Sequence, residues 1–244
     1  MLEIRLIDDT LNNLFYNVSE GFESSIFVTE YDYLTKFFKH YISDKMLSRK
    51  EHILVALYFS RICDNYNTIP EIYHLIYKKD GTFAGYTMAP VPGEKLDAFC
   101  DTLSLEDKLV VFKNIETTIK VLHNNEFCLT DFNPKNFLIS NEYLVKLVDI
   151  DSFCIMDDPK KNMLFNYKYT CPYTKLITKQ YNMYCFYSLF VDMIFKVNRR
   201  YNSRKEILRK ITSDNLLPQS IKEKLIYFAN IRRKKQLINL DYLF

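Results

Sequence analysis

A chain of 244 residues, 48% hydrophobic and 26% charged, is long enough to bury a real core and too apolar for intrinsic disorder. The net charge of +3 is too small to argue for a nucleic-acid partner, and no window approaches the about 18 uninterrupted apolar residues of a membrane span. The opening MLEIRLIDDT lacks a signal-peptide profile, and six cysteines without a CxxC pair suit reduced thiols, so the expectation is a soluble, cytoplasmic protein with neither nucleic acid nor membrane as partner.

In chain order, residues 12–40 read as three short strands, Leu14–Val18, Ser25–Thr29 and Tyr33–Phe38, broken by the turn-like SEGFES and EYD. A helix is expected from about Ser48 to Cys63, with Ile53, Leu54, Leu57 and Ile62 at helical spacing. Strands follow at Glu71–Lys78 and Phe83–Met88, joined by the turn KKDG. The segment APVPGEK, with two prolines and a glycine, is a connector. Beyond it, Ser104–Asn124 forms an amphipathic helix capped by Ser104, with Asp107 at the N3 position. Two short strands, Phe137–Ile139 and Val145–Val148, precede an irregular stretch from Asp151 to about Leu176. Helices over Thr178–Lys196, Ser203–Ile211 and Pro218–Ile231 complete the chain. The four glycines stand at 21, 81, 85 and 93, so later turns are expected to rely on Asn, Asp and Pro. A β-rich N-terminal third with one helix thus precedes a helical two-thirds, a two-lobe α+β plan with a Pro-rich hinge near residue 90. The run Arg232–Lys235 reads first as a solvated helix face and second as a surface for an acidic partner.

The chemistry concentrates in LTDFNPKNFLI, residues 129–139. Asp131 and Asn136 stand five apart in a loop where Pro134 blocks helix continuation, and Asp149 follows eighteen residues after Asp131, at the end of the apolar VKLV. Phosphoryl transfer needs this set: one carboxylate near the acceptor hydroxyl, and a second carboxylate with an amide oxygen to hold Mg²⁺ against phosphates.

Asp131, Asn136 and Asp149 at this spacing resemble the protein-kinase superfamily. The wording TDFNPKN followed by VKLVDIDSF is most similar to a divergent bacterial branch with a DxDSF-type metal motif. The resemblance implies a two-lobe kinase-like fold, a small β-rich N-lobe over residues 1–89 and a mainly helical C-lobe over 90–244. It also implies ATP and Mg²⁺ (or Mn²⁺) as cofactors and a protein substrate phosphorylated on Ser or Thr. Asp131 becomes the catalytic carboxylate, with Asn136 and Asp149 as metal ligands and Lys135 beside them to meet the γ-phosphate or substrate. Lys36, a lone charge in the apolar YLTKFF, is the phosphate lysine, with Lys39 as competitor and an edge strand facing water as the alternative. Glu51 is either the ion-pair partner of Lys36 or the N3 residue of a capping box on Ser48. Gly21 marks the phosphate-cradling turn. Met88 backs the adenine pocket, and Ala89 and Val91 offer backbone groups, with Val91 the better donor because Pro90 has no N–H.

Departures accompany the resemblance. Leu129 and Thr130 stand where many kinases have His-Arg, Asp149-Ile150-Asp151 replaces the DFG triplet, and Pro172 lacks a following Glu. On an extended chain Asp149 and Asp151 share one side, and Asp151 is assigned a structural role. Asn182 stands where the family pattern has an Asp that braces the catalytic loop, and the aromatic stripe Tyr184, Phe186, Tyr187 and Phe190 reads as core. A nucleotide-binding pseudokinase or scaffold, a small-molecule kinase and an AMP-transferring enzyme on the same fold are the alternatives.

Overall fold

The computed structural model describes residues 3–7, 16–28, 33–157 and 167–244. The architecture is mixed α+β, β-rich in its N-terminal region and helical in its C-terminal region. The chain divides into two compact units, Met1–Val91 and Pro92–Phe244.

The first unit is built on a six-stranded sheet. Its strands are β1 (Glu3–Ile7), β2 (Tyr16–Glu20), β3 (Ser24–Val28), β4 (Leu34–Phe38), β5 (Ile72–Lys78) and β6 (Phe83–Met88), in the order β1-β5-β6-β4-β3-β2. All neighbours are antiparallel except β1 and β5, a parallel pair that the sequence reading missed. Leu14, Phe15 and Thr29, the outer residues of two expected strands, lie outside the described residues. At Gly85 the sheet is unusually tight: an added Cβ would lie 2.0 Å from the Lys36 carbonyl oxygen, so only glycine lets β6 approach β4 there.

Helix α1 (Asp44–Ser60) packs on β5 and β6. Leu47, Lys50, Ile53, Leu54 and Leu57 form its buried stripe at helical spacing. The helix begins four residues before Ser48, with Asp44 in its first turn, where a carboxylate favours the helix dipole. Arg61 ends it in the left-handed region (φ +57°), and a short helix α2 (Ile62–Tyr66) follows, ended by Asn67 (φ +53°).

The second unit starts with β7 (Glu94–Lys95) and α3 (Leu96–Thr102), which occupies the stretch after the Pro-rich connector. Helix α4 (Leu105–Asn124) is capped as expected: Ser104 Oγ accepts from the Asp107 N–H at 3.1 Å and donates to the Asp107 carboxylate at 2.8 Å. Strand β8 (Phe127–Cys128), β9 (Phe137–Ile139), β10 (Val145–Leu147) and β11 (Cys154–Ile155) form small antiparallel pairs, β9 with β10 and β8 with β11. Helices α5 (Lys179–Phe195), α6 (Arg204–Ser213), α7 (Gln219–Asn230) and α8 (Lys234–Leu237) follow.

Helix α5 is the core of this unit, buried from Tyr181 to Met193. The aromatic stripe is core, as read from the sequence. Phe186 and Phe190 set ring centroids 6.0 and 4.9 Å from Phe112 of α4, while Tyr184 and Tyr187 lie 5.1 and 5.4 Å from Phe228 of α7. Such offset and edge contacts add to the area the rings bury.

The glycine-poor sequence sets its later turns differently from expectation. After Gly93 the non-glycine residues with positive φ are Glu126, Tyr143, Asp149, Asp157 and Lys196 among the described residues, and only two are Asp. Each costs about 1–2 kcal/mol of backbone strain. Neighbours hold them: the Tyr143 carbonyl accepts from Asn114 Nδ2 at 2.8 Å, and the Glu126 carbonyl accepts from the Met156 N–H at 2.7 Å. Tertiary packing overrides local preference at these positions.

Candidate functional site

The segment between β8 and β9 carries the expected polar residues, and the local chain explains their placement. Phe132 is buried and Phe137 lies 6.2 Å from it centroid to centroid, so the loop is pinned by two rings while Asp131 and Asn136 stay half-exposed. Asn133 caps a 3₁₀ turn over Pro134–Asn136, its side chain accepting from the Lys135 N–H at 3.1 Å. Pro134 at the first position of that turn costs no hydrogen bond. The turn brings Asn136 back to Asp131: Asn136 Nδ2 donates to Asp131 Oδ2 at 3.4 Å. With the amide nitrogen facing the carboxylate, Asn136 Oδ1 remains as a hard oxygen donor. Lys135 is exposed.

The β9–β10 hairpin then returns the chain to the same place. The Val148 N–H donates to the Asn136 carbonyl at 2.9 Å, and Asp149 is the next residue. Asp149 sits at φ +61°, ψ +39° and starts a 3₁₀ turn over Ile150–Ser152. Its carbonyl accepts from both the Ser152 N–H (3.0 Å) and Ser152 Oγ (2.7 Å). The extended geometry expected for Asp149-Ile150-Asp151 is therefore absent, because Ser152 closes the turn. Asp151 is fully buried, whereas Asp149 is half-exposed. Thr130, which stands in place of an arginine in the kinase-like reading, donates through its hydroxyl to the Ser152 carbonyl and ties the two loops together.

Behind the loop lies a neutral polar chain. Asn182, buried on α5, grips the Leu129 backbone with both ends of its amide: Oδ1 accepts from the Leu129 N–H at 2.9 Å and Nδ2 donates to the Leu129 carbonyl at 2.7 Å. An aspartate could accept the first bond but not donate the second, so the amide is the better brace here. His123, at the end of α4, places Nε2 3.2 Å from Asn182 Oδ1 and Nδ1 2.9 Å from the Tyr242 hydroxyl. An acceptor at Oδ1 fixes the proton on Nε2, and Tyr242 then donates to Nδ1. Burial pushes the His123 pKa down to about 4, outweighing the bond to Asn182, and Lys179 adds to the fall. The imidazole is neutral at pH 7. Tyr242 is itself held: the next residues, Leu243 and Phe244, donate backbone N–H groups to the buried Glu116, and Lys224 donates to the Tyr242 carbonyl at 2.7 Å.

In the first unit, Lys36 lies in the middle of β4, between Ile26 of β3 and Tyr86 of β6, and is 4% exposed. An edge-strand lysine facing water is therefore not what β4 presents. Lys39 falls outside the strand and pairs with Glu20 at 2.9 Å on the surface. Glu51 is in the interior of α1, not at its start, so the capping box on Ser48 does not form; its carboxylate accepts from the Tyr77 hydroxyl of β5. Burial, with the bond to Glu51 adding to it, pushes the Tyr77 phenol far above its ordinary value. On the buried stripe next to it stands Lys50, 3% exposed, which pairs with Glu23 at 3.0 Å. The Lys50 and Lys36 ammoniums lie 5.2 and 5.9 Å from the same Phe38 ring. Sequence reading passed over Lys50, although its spacing from Leu47, Ile53 and Leu54 on one helix face was a visible signal.

Gly21 lies in the β2–β3 turn, and its N–H donates to the Ser24 carbonyl at 2.8 Å, so the hairpin itself uses that group. Met88 is buried at the end of β6. The Ala89 N–H donates to the Glu71 carbonyl at 2.9 Å, leaving the Ala89 carbonyl and the Val91 N–H as the backbone groups to consider at this connector.

Among the described residues no group of three or more His, Cys, Asp or Glu could hold a metal alone. Asp149 and Asn136 supply two hard oxygen donors, which suits Mg²⁺, an ion that keeps several waters and completes its shell with substrate phosphates. No helix among the described residues is long and apolar enough to cross a membrane. No protein-family model matches the chain, and no curated protein sequence matches it significantly.

Proposed function

We propose that the chain is an ATP- and Mg²⁺-dependent phosphotransferase of protein-kinase-like, two-lobe fold, acting on Ser or Thr hydroxyls of a protein. One observation carries this reading: the 3₁₀ turn that hydrogen-bonds Asn136 to Asp131 is also the turn to which the β9–β10 hairpin returns Asp149. Asp131 then orients the acceptor hydroxyl and takes its proton as the oxygen attacks the γ-phosphorus, the bond to the β,γ-bridging oxygen breaks and ADP leaves. Asn136 Oδ1 and the Asp149 carboxylate would hold the cation, which when bound would neutralise charge on the phosphate oxygens. The left-handed backbone at Asp149 supports this role, since strain of this kind at a non-glycine residue clusters at functional sites. Lys36, a buried ammonium in a central strand, is assigned to the α- and β-phosphates, and exposed Lys135 to the γ-phosphate or the substrate. Met88 and the backbone of Ala89 and Val91 are assigned to the adenine.

Two roles change from the sequence reading. The ion pair that α1 makes is that of buried Lys50 with half-buried Glu23, so Glu51 is proposed to position the helix through Tyr77. Gly21 contributes a turn whose N–H is already bonded, which favours a second reading, a nucleotide-binding pseudokinase that holds ATP without transferring it.

Intact-mass analysis after incubation with ATP and Mg²⁺, alone and with a generic protein substrate, separates these. Phosphate-sized additions lost in Asp131→Asn and Asp149→Asn support the phosphotransferase. AMP-sized additions redirect the assignment to nucleotidyl transfer. ATP binding with no added mass on either protein leaves the pseudokinase.

A further inference from the structure

A second feature of the Pro92–Phe244 unit is unrelated to the loops above. The segment 171–180 and the segment 231–238 enclose a surface pocket of about 460 Å³. Its floor and walls are apolar: Leu237 is buried, Leu176 is partly exposed, and Ile238 is 74% exposed although it is a large aliphatic residue. Lys234, Lys235 and Gln180 provide polar lining whose side chains have no hydrogen-bond partner among the described residues, whereas Thr174 and Thr178 are engaged with the Leu176 and Tyr181 backbone.

The two walls are fastened to each other. Arg199 donates to the Phe228 and Ile231 carbonyls, both at 2.7 Å, and to the Tyr173 hydroxyl at 3.3 Å; the same hydroxyl donates to the Ile231 carbonyl at 3.1 Å. Its guanidinium also lies 5.2–6.0 Å from the Phe228, Tyr184 and Tyr173 rings. The backbone of the two walls is thus held together at Tyr173 and Ile231 before anything binds, which lowers the cost of occupying the pocket.

Its rim is mainly basic. Neither 171–180 nor 229–240 contains an Asp or Glu, while Lys175, Lys179, Arg232 and Arg233 stand exposed beside the two lining lysines; Asp157, whose N–H donates to the Ile177 carbonyl at 2.8 Å, is an acid beside the first wall. None of the six has an acidic partner within hydrogen-bonding or ion-pair reach among the described residues. An apolar slot with a cationic rim matches a peptide that carries apolar anchors between acidic residues. Nucleic acid fits less well, because no aromatic ring lines the pocket to stack a base.

We propose that this pocket docks an acidic segment of a protein partner, an apolar side chain entering between Leu176, Leu237 and Ile238 while flanking Asp or Glu side chains meet Lys234 and Lys235. Complementary charge sets the sign of partner accepted and speeds encounter, and the apolar anchor supplies affinity. The proposal does not depend on phosphotransfer and needs no nucleotide.

The test is fluorescence anisotropy with labelled peptides of about 12 residues, long enough to cross such a pocket in extended form. One carries Leu and Phe flanked by Asp and Glu, one replaces the acids with Lys and Arg, and one keeps the acids but replaces Leu and Phe with Ser. Only the first is expected to bind, with affinity falling about ten-fold or more in Lys234→Glu/Lys235→Glu and weakening at high salt. Ile238→Ser is expected to weaken it several-fold. These residues are exposed, and unchanged melting curves exclude misfolding. Failure of the first peptide to bind, equal binding of all three, or indifference to both variants would overturn the proposal. So would phosphatidylserine vesicles or single-stranded RNA binding in its place with loss in the same variants.

Discussion

Two buried polar clusters, one in each unit, are built on opposite principles. In the sheet unit the cluster around Phe38 is charged: Lys36 and Lys50 lie inside β4 and α1, with the half-buried Glu23 carboxylate on Lys50. In the helical unit the groups behind the Asp131 loop are neutral: the Asn182 amide, the His123 imidazole and the Tyr242 hydroxyl, each fixed by its neighbours. Buried charge is costly unless paired and therefore responds strongly to what comes near it. A satisfied neutral network holds one geometry. The first cluster is thus electrostatically responsive, and the second is a rigid support for the Asp131 loop.

The largest break in this contrast comes from Lys50→Ala, which leaves the half-buried Glu23 without its cation and should cost about 3 kcal/mol in urea unfolding, the low end for a broken buried pair because Glu23 keeps some contact with water. Lys50→Met with Glu23→Gln should recover most of that loss, since an apolar replacement of the whole pair is often neutral. A pH series gives the next effect. His123 has its folded pKa depressed to about 4 while the unfolded chain titrates near the ordinary 6.5. Stability is therefore highest above about pH 6.5 and falls by about 3 kcal/mol as acid is added towards pH 4, because the unfolded state takes the proton first. His123→Gln should flatten that part of the profile.

Asn182→Ala removes both partners of the Leu129 backbone and should cost about 2–3 kcal/mol, with turnover falling further than stability alone explains. Asn182→Asp sharpens the point: a carboxylate keeps the acceptor but faces the Leu129 carbonyl, so it should rescue poorly. The smallest effect expected is from Tyr242→Phe, about 1 kcal/mol, read by thermal melting. If Tyr242→Phe proved as damaging as Asn182→Ala, the chain of bonds would be acting as one unit and not as a graded support.

Much of this was legible in the sequence where the signal is local. The Asp131–Asn136 proximity follows from a short Pro-containing loop, and Lys36 stood out as one charge in an apolar run. The helix on Ser104 announced itself by its cap. What depended on tertiary partners was not legible. At α1 the sequence offers two starts, Ser48 with Glu51 imitating a capping box and a start near Ser43; the structure takes Ser43 as the cap, and the Ser48 start hides Lys50 on the buried face. The turn at Asp149 was misread as extended because nothing in DIDS shows that Ser152 would use both its N–H and its hydroxyl on one carbonyl. Strand β1 pairs with residues about seventy positions away, in parallel, and five residues alone carry no such information. Asn182 was identified as a brace, but its two-ended grip and its link to Tyr242 required the fold.

The two carboxylates in adjoining loops, Asp131 and Asp149, are proposed to do different work, and thermal melting with ATP, with and without Mg²⁺, tests that division most directly. Wild type and Asp131→Asn should both gain about 5 °C or more with saturating ATP and Mg²⁺, corresponding to a ligand at about 100 times its Kd. Asp149→Asn should lose the Mg²⁺-dependent part of the gain. Equal stabilisation of all three proteins, or none of wild type, would contradict the assignment of Asp149 and Asn136 to the metal and of Asp131 to the acceptor.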